Sequence, residues 1–386
     1  MLRRFAEVTT ALNAYVPILL VKRGERIALQ QTATATAQAI TPWLRIVPPE
    51  LRGDEGGVAP AAELARLAAA TGDRALYLDA VGTPRRRRRI APLGGEYMQD
   101  VYEAAVASNL AFLPVYPFGR PDLADIVRRF ASDDLGAALL VRADAALAYG
   151  SRQLADDLRV EVATLGVDPE RLDLMLDLGY IPPGMDEPSS VVRLALQAVS
   201  AARWRTVILA GTSVPDSLAE EIADDSLNAI ARREVALFDK VQAHLAVRLR
   251  FADYAAQHPV PPPPGAVPKM RPSIRYTAGE FMYVSRGRPM DELDHDEVPV
   301  HYRALAERLR MHPPFVGSAC CWGDRFIEEL ADGARLSRSQ YWMRAVATCH
   351  HLAVVAEERS TGAARARVAP LRRARAARVP ATRPGS

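Results

Sequence analysis

The sequence contains no apolar run near the roughly 20 residues that a membrane-spanning helix needs; the longest candidate, Val16 to Val21, stops at Lys22. No membrane association is expected. Cysteine is scarce, with three in 386 residues and two of them adjacent, which excludes a disulfide framework and fits a reducing compartment. The opening MLRRF is charged but lacks a hydrophobic segment and a small-residue cleavage site, so it is not read as a signal peptide. The expected location is the cytoplasm. Lysine is nearly missing: Lys22, Lys240 and Lys269 are all there are, so arginine supplies the other 46 of the 49 basic residues. That bias weakens any reading of an arginine run such as Arg85 to Arg89, which is taken as a solvated loop. A net charge of +3 gives no field to attract nucleic acid or a membrane surface. Also absent are G-x-S-x-G, H-E-x-x-H, a P-loop and G-x-G-x-x-G, which removes the commonest signatures of hydrolases, NTPases and dinucleotide enzymes.

Short apolar runs are present instead, eight of them between residues 15 and 255. They cover Tyr15 to Val21, Ile40 to Val47, Arg74 to Ala80, Leu110 to Pro117, Ala137 to Ala143, Arg171 to Leu178, Arg205 to Gly211 and Val247 to Tyr254. Amphipathic stretches separate them, at Glu25 to Ala39, Ala61 to Ala70, Glu96 to Ser108, Asp122 to Phe130, Ser151 to Leu165, Ser189 to Ala202 and Asp216 to Leu245, the last long enough for two helices. Strands alternating with helices demand a parallel sheet, and eight such units close into a (β/α)8, TIM-like barrel. An open doubly wound sheet is the alternative, but its Gly-rich phosphate turn is replaced here by Lys22-Arg23-Gly24-Glu25.

The eighth unit lacks its helix, because His258-Pro259 and Pro261 to Pro264 cannot continue one. The chain therefore divides into a barrel at 1–257, a Pro-rich crossing at 258–272, an α+β extension at 273–359 and an Arg/Ala/Pro tail at 360–386. The extension reads as a hairpin, Ser273 to Tyr276 and Phe281 to Ser285 around Ala278-Gly279, followed by helices at His301 to Met311, Trp322 to Ala331 and Ser339 to Glu358. It is expected to pack on the barrel and supply the missing eighth cover. The tail has too little apolar bulk to fold, and it is the one segment with the composition to bind RNA or a partner.

Six strands end in a charge: Lys22, Arg45, Asp79, Arg142, Asp177 and Asp253. In a closed barrel these would converge on the C-terminal mouth, where such barrels carry their sites. Lys22, Arg45 and Arg142 would favour an anionic, phosphorylated small molecule. Asp79, Asp177 and Asp253 could hold Mg²⁺ or act as acid and base, which makes them catalytic candidates together with His350. Arg275, Tyr276, Trp322, Asp324 and Arg344 of the extension are expected to complete a ligand-binding wall over that mouth. Cys320, Cys321, Cys349 and His350 invite zinc, but no C-x2-C pair is present and adjacent cysteines rarely share a tetrahedral ion, so zinc is disfavoured and no metal site is assigned. Because His350 and His351 lie on adjacent helix faces, at most one is expected to point inward.

With these residues in view the chain resembles the Beta protein family, named after a protein of a satellite coliphage. The resemblance runs through Tyr15-Val16-Pro17-Ile18, Lys22-Arg23-Gly24-Glu25, Asp253-Tyr254, His258-Pro259, Ile274-Arg275-Tyr276-Thr277, Trp322-Gly323-Asp324 and Trp342 to His351. Where relatives carry Gly-Asp-Tyr, this chain has Ala252-Asp253-Tyr254. The resemblance implies a phage-related role, in defence or as a toxin–antitoxin component, since the namesake lies beside a lethal gene and counteracts it. A protein partner encoded nearby is implied with it, but no reaction is. The alternative from the residues alone is a metal-assisted enzyme acting on a phosphorylated or nucleotide-like small molecule.

Overall fold

The computed structural model describes residues 15–46, 60–80, 94–142, 153–185, 188–260, 271–337 and 339–360. The arginine run at 85–89, the prolines at 261–264 and the tail lie outside them. Eight parallel strands close a barrel: β1 (Tyr15–Leu20), β2 (Trp43–Arg45), β3 (Leu76–Asp79), β4 (Phe112–Pro117), β5 (Ala137–Arg142), β6 (Leu172–Tyr180), β7 (Thr206–Thr212) and β9 (Arg250–Asp253). Every predicted run overlaps one of them, with β6 and β7 running one or two residues past the predicted ends. The ring is sealed by β1 on β9, with Tyr15 opposite Phe251 and Pro17 opposite Asp253.

Period-two alternation builds two cores. Even-numbered residues of β1 and β9, such as Val16, Ile18 and Ala252, join Trp43, Tyr77, Val115, Leu140, Met175 and Ile208 inside the barrel. Their neighbours Leu19, Leu44, Leu78, Leu139, Leu174, Leu209 and Phe251 face the surrounding helices. Both faces are apolar, which explains why parallel strands read as continuous apolar runs. The first six connections hold helices in the described residues: α1 (Arg23–Gln31) with α2 (Thr34–Gln38), α3 (Pro60–Thr71), α4 (Gly95–Ala107), α5 (Ala124–Phe130), α6 (Leu154–Leu165) and α7 (Ser189–Ala201).

The seventh connection corrects the expectation of two helices. Its first half is a strand, β8 (Ser226–Ala231), followed by α8 (Arg233–Gln242). β8 pairs antiparallel with β11 (Phe281–Arg286), which pairs in turn with β10 (Ser273–Ala278), giving a three-stranded sheet of order β10-β11-β8. The strand was hard to read because it lies at the sheet edge, with Asn228, Ala229 and Ala231 exposed, and its partner comes about 50 residues later.

After the sheet come α9 (Glu297–Arg310), α10 (Trp322–Ala331) and α11 (Gln340–Ser360). α11 packs on α1, β1 and β10, and its Leu352, Val355 and Ala356 merge into the outer barrel core, where Arg359 also lies over Phe251. The last helix thus covers the β1/β9 seam while the sheet covers its other side. Sandwiching corrects the expectation for the two histidines: His350 and His351 are both 0% exposed, because α11 is covered on both faces over residues 345–352. None of the described helices is long and apolar enough to cross a membrane.

Candidate functional site at the barrel mouth and the seam

Strand register brings four of the charged residues together. Arg45 is opposite Asp79 across β2/β3, and Arg142 is opposite Asp177 across β5/β6. All four side chains point inward at the C-terminal strand ends. Arg45, 1% exposed, forms the centre: Nε donates to Asp79 Oδ2 at 2.7 Å, Nη1 to the Tyr254 hydroxyl at 3.1 Å and Nη2 to Asp177 Oδ2 at 3.4 Å. Trp43 Nε1 donates to the same Asp79 oxygen at 3.1 Å, and the Tyr254 hydroxyl donates to Asp177. Burial opposes the charge of Arg45, yet Tyr254, Asp79 and Asp177 outweigh it and hold the guanidinium well above its ordinary pKa. Burial pushes the Tyr254 phenol up, with Asp177 adding to the effect.

Backbone irregularity gathers at the same end. β6 bulges between Asp177 and Tyr180, with Gly179 at φ +63° and its N–H on Asp177 Oδ1 at 3.0 Å; bulges of this kind re-aim side chains beside sites. Ala255, directly after Tyr254, is left-handed at φ +50° and is held there by the Asp253 carboxylate on its N–H. A non-glycine residue in that region stores strain that surrounding contacts must sustain.

Two further guanidinium groups stand around this cluster. Arg142 is half-buried, and its pKa is lowered first by burial and then by Arg45. Arg275 donates to the carbonyl of Ala256, two residues beyond Tyr254, so at most about 7 Å of chain separates that carbonyl from the cluster's strand. Burial and the neighbouring Arg344 bring Arg275 down to about 10. Arg344 sits over the start of α1, 3.7 Å from the buried Glu25, and Lys22 occupies the N-cap of that helix. A hollow of about 350 Å³ opens at the opposite, N-terminal end, beside Arg159, Asp168 and Arg203, away from all of these groups.

The remaining predicted residues lie elsewhere. Asp253 does not join the mouth: alternation turns Ala252 and Tyr254 inward and Asp253 outward, where it accepts from the Tyr15 hydroxyl at 2.7 Å and from His351 Nε2 at 2.9 Å. Burial alone would raise Asp253, but His351, Arg232 and Tyr15 together hold it below the usual carboxylate value. His351 Nδ1 meets the Thr277 hydroxyl at 2.7 Å, so Thr277, His351 and Asp253 repeat the connectivity of a nucleophile, base and orienting acid. All three are buried, at 2%, 0% and 1% exposure, and no substrate reaches them. The relay pins α11 to the barrel.

Alternation along β10 splits the other group. Arg275 and Thr277 face the barrel and α11, whereas Ile274 and Tyr276 enter the extension's own core. There the Tyr276 hydroxyl donates to Asp324 Oδ1 at 2.8 Å, its ring stacks on His350 at 3.8 Å, and His350 bridges Asp324 Oδ2 at 2.9 Å to the Thr277 carbonyl at 2.8 Å. Burial would lower His350, but Asp324 and Cys320 lift it to about 9. Cys321 Sγ lies 3.0 Å from Asp324 Oδ2. Trp322 packs against Phe326 and Trp342 and takes no part in the mouth. Sequence reasoning did not single out Trp43 or assign a role to Tyr254; the inward parity they share with Arg45 and Ala252 is the signal that finds them.

The sequence model of the Beta protein family matches residues 15–357, nearly the whole chain. The chain belongs to the Beta protein family. No curated protein matches it. Among solved structures, this Beta-family chain is similar to the carboxyl transferase domain of Rhizobium etli pyruvate carboxylase with pyruvate and biocytin, at 9% identity and a TM-score of 0.38. The likeness covers 90% of this chain and 49% of that one, so the chain spans about half the length of the structure it matches. The barrel assignment rests on the closed strand order itself.

Proposed function

We propose that the C-terminal mouth of the barrel binds a small anionic ligand, phosphate- or carboxylate-bearing, through Arg142 and Arg275, with Lys22 and Arg344 flanking. One observation carries this reading: Arg142 stands at the C-terminal strand ends across from Asp177 and near Arg45, where burial and that arginine work against its charge although Asp79 and Asp177 favour it, while Arg275 is held next to Arg344. An anion reverses that balance, and paired N–H donors give arginine a fork-like grip on phosphate or carboxylate. At the mouth Arg45 is bonded to both Asp79 and Asp177, and Arg142 lies across β5/β6 from Asp177.

Metal-assisted chemistry at this mouth is the weaker reading, because Asp79 and Asp177 are already engaged by Arg45, Trp43, Tyr254 and the Gly179 N–H. In its biological setting the ligand site would serve a Beta-like defence or toxin–antitoxin component, which either senses the ligand or answers to a protein partner. Calorimetric titration of the full chain with inorganic phosphate, nucleotides and sugar phosphates tests the reading. Arg142→Ala and Arg275→Ala should each weaken binding by about 1.5 to 3 kcal/mol, the range for a charge-assisted hydrogen bond, with unchanged circular dichroism. Absence of binding to the native chain, or equal affinity in both variants, sinks it.

A further inference from the structure

We infer that Cys320, Cys321, Asp324 and His350 form a four-ligand site for one zinc-class divalent ion at the junction of β10, α10 and α11. The site shares no residue with the barrel mouth. Its local origin is the start of α10. Cys321 is the N-cap, in extended backbone at φ −156° and ψ 178°, and Asp324 is the third helical residue. Residues at the N-cap and third positions of a helix bring their side chains together at its first turn. In place of the C-x2-C pair whose absence disfavours zinc in the sequence, Cys321 and Asp324 form a C-x2-D pair, and α11 adds His350 from across the interface.

Close helix packing makes the meeting possible. A Cβ on Gly323 would lie 2.6 Å from the Val346 carbonyl and 3.3 Å from the His350 nitrogen, so a larger residue there would push the helices apart. One ligand atom from each of the four residues lies within 4.8 Å of all the others. Tetrahedral zinc with bonds of about 2.0 to 2.3 Å separates its ligand atoms by roughly 3.3 to 3.8 Å. The pairs at 2.9 and 3.0 Å around Asp324 Oδ2 need open by only about half an ångström to fit that geometry.

The outer contacts are already those of a metal centre. His350 Nε2–H donates to the Thr277 carbonyl, which fixes the ring and aims Nδ1 at the cluster. The Tyr276 hydroxyl holds Asp324 Oδ1, turning Oδ2 toward the thiols. Two sulfurs, one imidazole and one carboxylate suit zinc over magnesium or calcium. Cys320 is exposed while the other three face inward, so an ion reaches the site past Cys320. On binding, the ion replaces the Nδ1 proton of His350 and both thiol protons, which pass to solvent; nothing is oxidised or reduced. Four protein ligands leave no position for a substrate, so the role is to lock the extension.

The test uses the full chain, reduced and stripped with a chelator, then titrated with Co²⁺ and followed by its thiolate charge-transfer and ligand-field absorption. One equivalent of cobalt should bind, displaceable by one equivalent of Zn²⁺, with about three protons released in weak buffer. His350→Gln and Cys321→Ser should abolish the thiolate band or weaken zinc more than about tenfold. The exposed Cys320→Ser, which leaves the fold untouched, should also weaken zinc more than about tenfold, and Cys349→Ser should bind as the native chain does. Failure of the reduced native chain to bind stoichiometric cobalt or zinc would overturn the site, as would full affinity in Cys320→Ser together with His350→Gln.

Discussion

The two ends of the barrel interior are closed by the same residue types arranged in opposite senses. At the N-terminal end an acid is the centre: Asp173 receives Arg205 through two bonds of 2.8 and 2.6 Å and the Tyr77 hydroxyl at 2.8 Å, while Arg250 reaches Tyr77. Despite burial, Asp173 holds Arg205 above its ordinary pKa. At the C-terminal end a cation, Arg45, is the centre and the acids surround it, so further cations brought to the rim meet burial and another arginine. An acid-centred plug is satisfied by arginines that reach it from outside. A cation-centred plug sets a neighbouring arginine beside another cation as well as beside Asp79 and Asp177, and the proposed binding end rests on that contrast.

Removing the acid from each plug is the strongest way to break this comparison. Asp79→Ala strips Arg45 of its shortest bond in a site with 1% exposure and should cost about 3 to 5 kcal/mol, the range for breaking a buried pair. Asp173→Ala should cost less, about 1.5 to 3 kcal/mol, because Arg205 is half-buried and keeps the Leu135 carbonyl. Denaturant midpoints of the two variants give the order. If Asp173→Ala proves the more damaging, the end assigned to binding is the less critical plug and the contrast fails.

Much of this architecture was legible in the sequence, and what was not follows a physical pattern. All eight barrel strands were readable because residues such as Leu19 and Ile18 are apolar on both faces, a signal that needs no knowledge of partners. Arg45, Asp79, Arg142 and Asp177 were readable as strand ends. Asp253 was misplaced because the same rule cannot say which parity faces inward when the strand is four residues long. The pairing of β8 with β11, the burial of both His350 and His351, and the meeting of Cys321 with His350 are contacts between distant segments. They depend on a helix clamped from two sides and on a glycine whose role appears only when α10 meets α11.

Acid titration sharpens the comparison by isolating the seam from both plugs. Asp253 has its folded pKa held below the ordinary value, so its stabilising contribution is present above about pH 4 and is lost as pH falls through the folded value. Asp253→Asn should cost about 1 to 2 kcal/mol at pH 7, since the amide keeps the shape but not the charge opposite His351. The gap between native and variant should then narrow from pH 4 toward pH 2. Denaturant unfolding across that range measures it, and a constant gap would show that the charge at the seam contributes nothing.

Arg142 gives the smallest expected effect on folding and the most specific one on binding. Its guanidinium is half-buried at the C-terminal end, where burial and Arg45 work against its charge while Asp79 and Asp177 favour it. Arg142→Gln should therefore shift stability by less than about 1 kcal/mol, as the lost attraction to Asp177 and the relieved repulsion from Arg45 offset each other. Ligand should expose the difference. An anion bound only to the folded state stabilises it by roughly 2.7 kcal/mol at a hundred times its Kd, so phosphate or a sugar phosphate should raise the melting temperature of the native chain far more than that of Arg142→Gln. The equivalent change at the other end, Arg205→Gln, should lower stability outright and leave the ligand-induced rise intact. Equal rises in the native chain and Arg142→Gln, or a rise lost in Arg205→Gln but kept in Arg142→Gln, would move the binding end to the wrong side of the barrel.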